Sequence, residues 1–455
     1  MDQQTALAVM KTGASVFLTG YPGSGKTHTV NQYVKYLRAH KIDPAITAST
    51  GIAATHIGGR TIHSWSGIGI RSELTPKDLR GIAKKGSYAA KRIEGTQTLI
   101  IDEISMLNGK TLSSVDAVCR AVKNNRKPFG GMQVILVGDF FQLPPVTRAN
   151  EELLFAFDSE AWGSLEPSVL YLTEQHRQDD DAFLSVLSAI RSDVFQQEHF
   201  SHLEPRLTTR QQCPDGITKL FTHNANVDAV NDRELANLSG EEHSFQMSKS
   251  GPEQLVSALQ KGCLSPEELV LKVDAVVMFT KNNFAEGYVN GTLGKVISFN
   301  KESGHPIVRT HTGRRIEAEP MDWIIEEDDE VQAEITQVPL RLAWAITIHK
   351  SQGMSLDAAI MDLKNVFEYG QGYVALSRVR NLAGLHLLGL NHRAFLVHPD
   401  ILVKDEQFRG ESAKVEKQYA GLPRKVLKER IEQFIRDCDG TLPKNRKAQQ
   451  GKIKN

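Results

Sequence analysis

The chain has 455 residues, 40% of them hydrophobic and 24% charged, with 54 basic and 54 acidic side chains. That length exceeds one ordinary core and predicts two or three compact domains of a soluble globular protein. The balanced charge gives no whole-protein sign of a nucleic-acid partner, and no stretch reaches the roughly 18 apolar residues of a membrane span. The four cysteines (Cys119, Cys213, Cys263, Cys438) are scattered without a CxxC pair, which argues against a disulfide framework or structural zinc. The amino terminus, MDQQTALAVM, lacks a basic stretch followed by a long apolar one, so neither a secretory signal nor a transit peptide is expected.

In chain order, SVFLTG (15–20), AITAS (45–49), TLIIDE (98–103), QVILVGD (133–139) and VLYLT (169–173) are short apolar runs with little polar alternation. Strands buried on both faces of a parallel sheet have this composition. After Thr27, residues Val30, Tyr33, Val34 and Leu37 fall at i, i+3, i+4, i+7 and predict a helix. The first half is therefore expected to be a doubly wound α/β domain. Residues 66–92 have weak periodicity and predict a small subdomain on its face. In the second half ITKLFTH (217–223), AWAITI (343–348), AAIMDL (358–363) and LHLLGL (385–390) predict strands, and NVDAVNDRELANL (226–238) a helix. Between them VVMFTKNN, GTLGKVISFN, PIVRTHTG and RRIEAEPMDWIIEE alternate with Gly and Asn turns, which predicts a β-rich insertion over 239–338. From about residue 400 the chain reads as polar helix. The last stretch carries only basic charges (Lys444, Arg446, Lys447, Lys452, Lys454), a solvated tail or a weak nonspecific DNA contact.

Gly20-Tyr21-Pro22-Gly23-Ser24-Gly25-Lys26-Thr27 matches GxxxxGK[ST], entered by a strand and left by a helix. Glycines let main-chain N–H groups converge on phosphate oxygens, and the helix N-terminus adds its dipole. Lys26 is placed to bridge the β- and γ-phosphates of ATP and the Thr27 hydroxyl to ligate Mg²⁺. Leu99-Ile-Ile-Asp102-Glu103 ends a second strand in two acids. Asp102 is expected to hold Mg²⁺ through water and Glu103 to orient and deprotonate the attacking water. Gln142, before a Pro-Pro turn, is a candidate γ-phosphate contact. Phe140 and Phe141 are either core residues or base contacts.

These residues carry a family resemblance. GYPGSGKT, ASTGIAATHIGGRTIHSW, IIDEISML, KPFGGMQVILVGDFFQLPPV, LTEQHRQ, TIHKSQGMSLD and GYVALSRVRNLAGLHLLGL occur in the order found in Pif-type helicases, of the 5′-to-3′ branch of superfamily one and close to RecD-like enzymes. The resemblance spans residues 3–395. It implies two tandem RecA-like P-loop NTPase cores, the first over 1–65 and 93–176 and the second over 177–238 and 339–396. A wedge subdomain (66–92) interrupts the first core, a barrel-like β insertion (239–338) the second, and a helical region follows over 397–455. It implies that Gln4 reads the adenine edge, that Arg177 and Arg378 reach the γ-phosphate from the second core, and that His28 and Gly353 join the loop residues around the nucleotide. A single-strand DNA track is implied over Thr50, Gly51, His63, Phe140, Thr222, Asn224, Lys281, Asn282, Thr347, His349, Lys350 and Ser351, with Trp65 a stacking or hinge residue. The expected activity is ATP-dependent 5′-to-3′ unwinding of tailed duplex DNA, with G-quadruplexes and RNA–DNA hybrids as further substrates. The alternatives are a translocase that remodels protein–DNA complexes, a nucleotide-gated adaptor, and an RNA-directed enzyme. A monomer, or a dimer on DNA, is expected. The absence of a long N-terminal extension implies a bacterial or phage protein in the cytoplasm near the nucleoid.

Overall fold

The structure, a computed structural model, describes residues 1–442 except 70, 72, 146–152, 175–179, 215, 223, 284, 289, 311 and 328–329. Arg177 and the basic tail from Lys444 onward lie outside the described residues. The first half contains strands β1 (Val16–Gly20), β2 (Ala45–Ala48), β3 (Arg60–Thr61), β4 (Thr98–Asp102), β5 (Gln133–Val137) and β6 (Ser168–Leu172). Its helices are α1 (Gln3–Met10), α2 (Lys26–Ala39), α3 (Gly51–His56), α4 (Ile62–Ser66), α5 (Pro76–Ile82), α6 (Tyr88–Gly95), α7 (Gly109–Val122) and α8 (Glu160–Leu165). All six strands are parallel, in the order β3-β2-β4-β5-β1-β6. Alternate residues point to opposite faces. Phe17, Leu99, Ile101 and Leu136 belong to one apolar cluster, and Val16, Leu18, Ile100 and Ile135 to another. With both faces buried there is no solvated side to demand polar residues, which explains the unbroken apolar runs. This order sets the C-terminal ends of β4, β5 and β1 side by side, where an open parallel sheet receives its ligand.

Within the interrupting segment, α5 opens on a capping box between Thr75 and Asp78. Helix α6 crosses the expected boundary at residue 92. It buries Ala89, Ala90 and Ile93, and Arg92 donates to the carbonyl oxygens of Ser64 (3.0 Å) and Trp65 (3.2 Å). The segment is thereby tied to α4, which carries His63.

The second half begins with α9 (Asp181–Arg191), α10 (Gln197–Leu203), β7 (Lys219–Phe221) and α11 (Asn224–Asn237). The insertion then contributes β8 (His243–Gln246), β9 (Ser248–Ser250), α12 (Glu253–Gly262), β10 (Glu268–Leu271), β11 (Val276–Phe279), β12 (Leu293–Phe299), β13 (Pro306–Thr310), β14 (Arg315–Glu317), β15 (Met321–Glu327), β16 (Glu330–Gln337) and β17 (Leu340–Leu342). These form three antiparallel sheets, β14-β13-β12-β11-β17, β15-β16-β9 and β10-β8. The first and last close around a shared core that includes Leu269, Val277, Phe279, Val296 and Leu340. Because Phe279 pairs with Leu340 and Val277 with Leu342, the insertion sheet runs past residue 338. The predicted strand AWAITI is correspondingly short: Ala343 N still bonds to Val276 O, and only β18 (Ala345–Thr347) joins the second core. With β19 (Ala359–Leu363), α13 (Gln371–Leu376) and β20 (Leu385–Leu390) following, the second parallel sheet is β18-β7-β19-β20. Helix α12 packs on α3 of the first core.

Two terminal helices, α14 (Pro399–Ala420) and α15 (Arg424–Asp437), return to the first core. Helix α14 runs along β6, the edge strand, and Ser412 Oγ accepts the Tyr171 N–H at 3.0 Å. An edge that would otherwise offer unpaired main-chain groups is thus covered. Phe408 enters an aromatic cluster with Phe17, Phe140 and Trp162, and Phe434 and Ile435 of α15 join the core on the opposite face. The two parallel-sheet cores meet through a buried ion pair. Arg191, in the last turn of α9, donates to both carboxylate oxygens of Asp139, after β5, at 2.8 and 2.9 Å. It also donates to Tyr171 Oη at 2.8 Å and Tyr373 Oη at 3.2 Å. Beside this pair Gly370, at φ 75°, seats its Cα on main chain of the first core. A β-carbon there would lie 2.5 Å from the Phe141 carbonyl oxygen and 2.6 Å from that of Gln142.

Replacing Arg191 by Ala leaves Asp139 charged and dry, a loss of about 3–5 kcal/mol. The urea midpoint is expected to fall clearly, and the double variant Asp139→Asn with Arg191→Met to recover most of the loss. An unchanged midpoint for Arg191→Ala would show that the pair carries no stability.

Candidate functional site

The phosphate loop follows β1. Gly25, which caps α2, has φ 88°, and a β-carbon there would lie 2.2 Å from Gln3 Nε2. The backbone conformation is the one glycine adopts without strain, and a side chain there would displace the Gln3 amide. Lys26 Nζ, in the first turn of α2, donates to Gly20 O (2.9 Å) and Tyr21 O (3.0 Å), so its charge rests on the loop's own carbonyls. Ser24 is buried inside the loop, Tyr21 is half-buried against the core, and Pro22, Gly23, Gly25, Lys26, Thr27 and His28 line a cleft of about 410 Å³.

Opposite the loop stand the ends of β4 and β5. Asp102 closes β4, and its Oδ1 accepts the Glu103 N–H at 2.9 Å. Glu103 takes the left-handed conformation (φ 51°, ψ 46°) and its carbonyl accepts the Ser49 hydroxyl at 2.8 Å. Both carboxyls titrate high. Burial pushes Asp102 up to about 6, against the Glu103 N–H and Lys26. Burial and the charge of Asp102 push Glu103 up to about 7, against Lys26 and Arg378. Gln142, past β5, donates to Asp139 Oδ2 at 3.4 Å.

The second core completes the cleft with Gly353, Ser355, Arg378 and Arg380. Arg378 follows α13 and is fully buried. Its guanidinium donates to Val374 O (2.8 Å), Ser377 Oγ (2.7 Å), Met354 O (3.3 Å) and Ser351 O (3.4 Å). Gln352 reaches across to donate to Glu103 Oε2 (3.0 Å) and Gln142 Oε1 (3.4 Å). Gln352, Ser355 and Arg380 were not singled out from the sequence, although Gln352 adjoins Gly353 in TIHKSQG. Gln4 requires a correction: it is exposed, and Gln3 instead donates to the Ser24 carbonyl at 3.3 Å. The signal lay in helix periodicity, since Gln3 shares a face with buried Ala6 and Met10.

The candidate DNA residues fall at two sheet edges. Thr50 and Gly51 follow β2, with Thr50 Oγ1 accepting the Ala53 N–H at 3.2 Å, and the partly buried His63 lies on α4 after the neighbouring β3. Burial lowers the His63 pKa. Thr222, buried, follows β7, Asn224 starts α11, and Thr347–Ser351 follow the adjacent β18. Two of these hydroxyls are inward. Thr347 Oγ1 accepts the Lys350 N–H (3.2 Å) and Ser351 Oγ donates to Ile348 O (2.7 Å), so both shape the turn that presents His349 and Lys350. His349 stands 3.8 Å from Glu368, and burial lowers the Lys350 pKa. In the insertion, Lys281 lies 4.9 Å over the Trp323 ring and donates to Asp322 O, while Asn282 Oδ1 accepts the Asn290 N–H at 2.8 Å. Phe140 is a second correction. It is 6% exposed and packed against Phe17, Phe157 and Trp162, so it is core and has no face for a base. Trp65 is likewise buried. No helix among the described residues is long and apolar enough to cross a membrane.

The family described as PIF1-like helicase matches residues 1–196. The chain is 42% identical to the ATP-dependent DNA helicase Pif1 of Psychrobacter sp., over 98% of this chain and 76% of that protein. Its fold superposes on Bacteroides sp. Pif1 in complex with ADP-AlF4 with a TM-score of 0.76, at 31% identity over 90% of this chain and 96% of that one. Against Bacteroides Pif1 bound to single-stranded DNA the TM-score is 0.65, at 31% identity over 89% and 95% of the two chains.

A carboxyl whose pKa rises on folding stabilises the protein fully below its unfolded pKa and loses that contribution as pH climbs through the folded value. Glu103, raised to about 7, therefore weakens the fold between mildly acidic and neutral pH. Glu103→Gln is expected to melt about 2–4 °C above the parent at pH 8 and close to it at pH 5. A melting difference that stays the same between the two pH values would show that the carboxyl is not held protonated.

Proposed function

The chain belongs to the PIF1-like helicase family, and from that premise we propose that it is an ATP-dependent DNA helicase that moves 5′ to 3′ along single-stranded DNA and separates the duplex ahead of it. The observation that carries the reading is one cleft in which the phosphate loop, Glu103 and Gln142 of the first core face Gly353, Arg378 and Arg380 of the second. A site split between two bodies makes nucleotide occupancy and their relative position interdependent.

Lys26 leaves the Gly20 and Tyr21 carbonyls to meet the β- and γ-phosphates, and Gln3 sits behind the loop at the nucleotide end. Thr27 and Asp102 are the residues that would hold Mg²⁺; one opens α2 after the phosphate loop and the other closes β4, and the donor set of hydroxyl and carboxylate oxygens suits a hard cation. When bound, the ion neutralises phosphate charge. Glu103, with a pKa lifted toward neutrality, suits a base that takes a proton from water. Gln352 spans Glu103 and Gln142, and so ties the water-activating side of the cleft to the second core. Arg378, with Arg177, neutralises charge on the transferred phosphoryl group.

Closure can be driven only by contacts that differ between open and closed states, and Arg378, Gln352 and Arg177 supply them. The DNA track runs over the sheet edges at Thr50, Gly51 and His63, then at Thr222, Asn224, His349 and Lys350, with Lys281 and Asn282 contributed by the insertion. Such contacts address the backbone, so little sequence preference is expected. Helix α12 lies on α3, which begins at Gly51, and the fold superposes less well on the DNA-bound relative than on the ADP-AlF4 complex. The difference supports a rearrangement between parts of the fold when DNA enters, and the contact of α12 with α3 places the insertion beside the proposed track. Residues 66–92 act at the duplex junction. G-quadruplexes and RNA–DNA hybrids are further substrates, and the working unit is a monomer or a pair on DNA.

Strand separation is expected on a duplex with a 5′ single-stranded tail and not on one with a 3′ tail, given ATP and Mg²⁺. Unwinding from the 3′ tail alone would overturn the polarity. DNA-stimulated ATP hydrolysis without unwinding would leave a translocase. Arg378→Ala is expected to cut DNA-stimulated hydrolysis by about 10²–10³-fold, and a rate near the parent's would remove that arginine from the mechanism.

A further inference from the structure

Helix α14 reaches the phosphate loop through Arg409, which stands beside Tyr21. We propose that Arg409 of this helix is a positioning residue for the loop, acting through Tyr21, so that the C-terminal helix forms part of the ATP site. The inference rests on the ATPase reading above.

Tyr21 is the second residue of GYPGSGKT, and its carbonyl accepts both Lys26 Nζ (3.0 Å) and the Ser24 N–H (3.1 Å). Its ring stands near two guanidinium groups, with Arg191 Cζ 4.7 Å and Arg409 Cζ 5.6 Å from the centroid. Its hydroxyl lies 3.4 Å from Arg409 Nη2. Arg409 is itself fixed: Nε donates to Asp405 Oδ2 at 2.7 Å, and Nη2 to Tyr171 Oη at 2.6 Å. Tyr171 belongs to β6, directly beside the β1 strand that feeds the loop. Asp405 also meets Arg191 at 3.5 Å, so the same cluster reaches the ion pair between the cores.

The loop's three glycines, Gly20, Gly23 and Gly25, all have positive φ and give it little stiffness of its own. Tyr21 is a side chain by which it is held from outside, with Arg191 beside its ring and Arg409 at its hydroxyl. A loop already ordered loses less freedom when a triphosphate binds. Arg409 is not among the residues that line the cleft, so its removal weakens nucleotide binding and leaves the transfer step, set by Lys26, Glu103 and Arg378, unchanged.

The test is steady-state, single-strand-stimulated ATP hydrolysis by the full chain, with ADP affinity measured in parallel. Arg409→Ala is expected to raise KM for ATP about fivefold, the scale of one cation–π contact with one hydrogen bond. ADP binding should weaken alike, while kcat stays within about twofold. Arg409→Lys should recover part of the loss. Tyr21→Leu should raise KM at least as much as Arg409→Ala, because it also removes the ring from Arg191, and the double variant should be no worse than Tyr21→Leu alone, since the Arg409 contribution passes through Tyr21. Val403→Ala, an exposed position on the same helix, should behave as the parent. An unchanged KM in Arg409→Ala would overturn the inference, as would additive losses in the double variant. Parallel losses in kcat, DNA affinity and melting temperature would also overturn it, marking a helix that only supports the fold. A parent chain that hydrolyses no ATP would instead overturn the function proposed above, and this inference with it.

Discussion

The contact between Asp139 and Arg191 governs how the two cores meet. Neither side chain has appreciable access to water, at 0% and 2% exposure. Burying two charges is unfavourable unless attraction and hydrogen bonds offset the lost hydration. Here both carboxylate oxygens and two tyrosine hydroxyls engage the guanidinium, and the Phe141 ring lies 4.0 Å beneath it. The acid follows the strand that also leads to Gln142, and the base belongs to α9, which packs against α13 of the second core. The ion pair therefore anchors the two cores beside Gln142 and its partner Gln352, and leaves their relative movement to be a turn about that anchor. Helix α14 extends this arrangement: Asp405 and the more exposed Arg409 add a second acid and base beside the first pair, so charge remains balanced from the buried junction out to the surface.

How much of this was legible in the sequence depended on what decided each feature. The parallel strands were readable because burial on two faces leaves a continuous apolar run. Their ends were not, because hydrogen-bond partners set them. Ala343 pairs within the insertion, so AWAITI yields only a three-residue strand in the second core. The glutamine behind the loop was misplaced by one residue. On a helix one residue is a turn of about 100°, enough to exchange the buried face for solvent. Phe140 looked available for stacking because it adjoins the Gln142 motif, yet five aromatic neighbours enclose it, one of them, Phe408, from the C-terminal helix α14 that no local pattern links to it. Gln352 and Arg380 entered the site only through closure of one core on the other. The loop Lys and the acid pair were legible because their chemistry demands particular residue types at particular strand ends.

The terminal helices had the composition of a solvated appendage, polar and highly charged. Their buried contacts are few but placed where the first core is otherwise unfinished. Ser412 satisfies an edge N–H, Phe408 fills the aromatic cluster, and Phe434 sits over Gly13, where a β-carbon would lie 2.3 Å from its ring. An amphipathic pattern of two or three contacts per helix is too sparse to stand out in a sequence, yet it suffices when each contact completes an existing surface.

Gly370 gives the junction one more property. Its Cα rests on the carbonyl oxygens of Phe141 and Gln142, so main chain abuts main chain with no side chain between. Side chains yield by changing rotamer, whereas two backbones in contact do not. The second core can therefore roll about this point but cannot approach more closely. The point adjoins Gln142 and stands at the head of the short helix that leads to Arg378. It is a fulcrum set close to the chemistry, and a single added methyl group would act as a shim, holding the jaw ajar without touching any reacting atom.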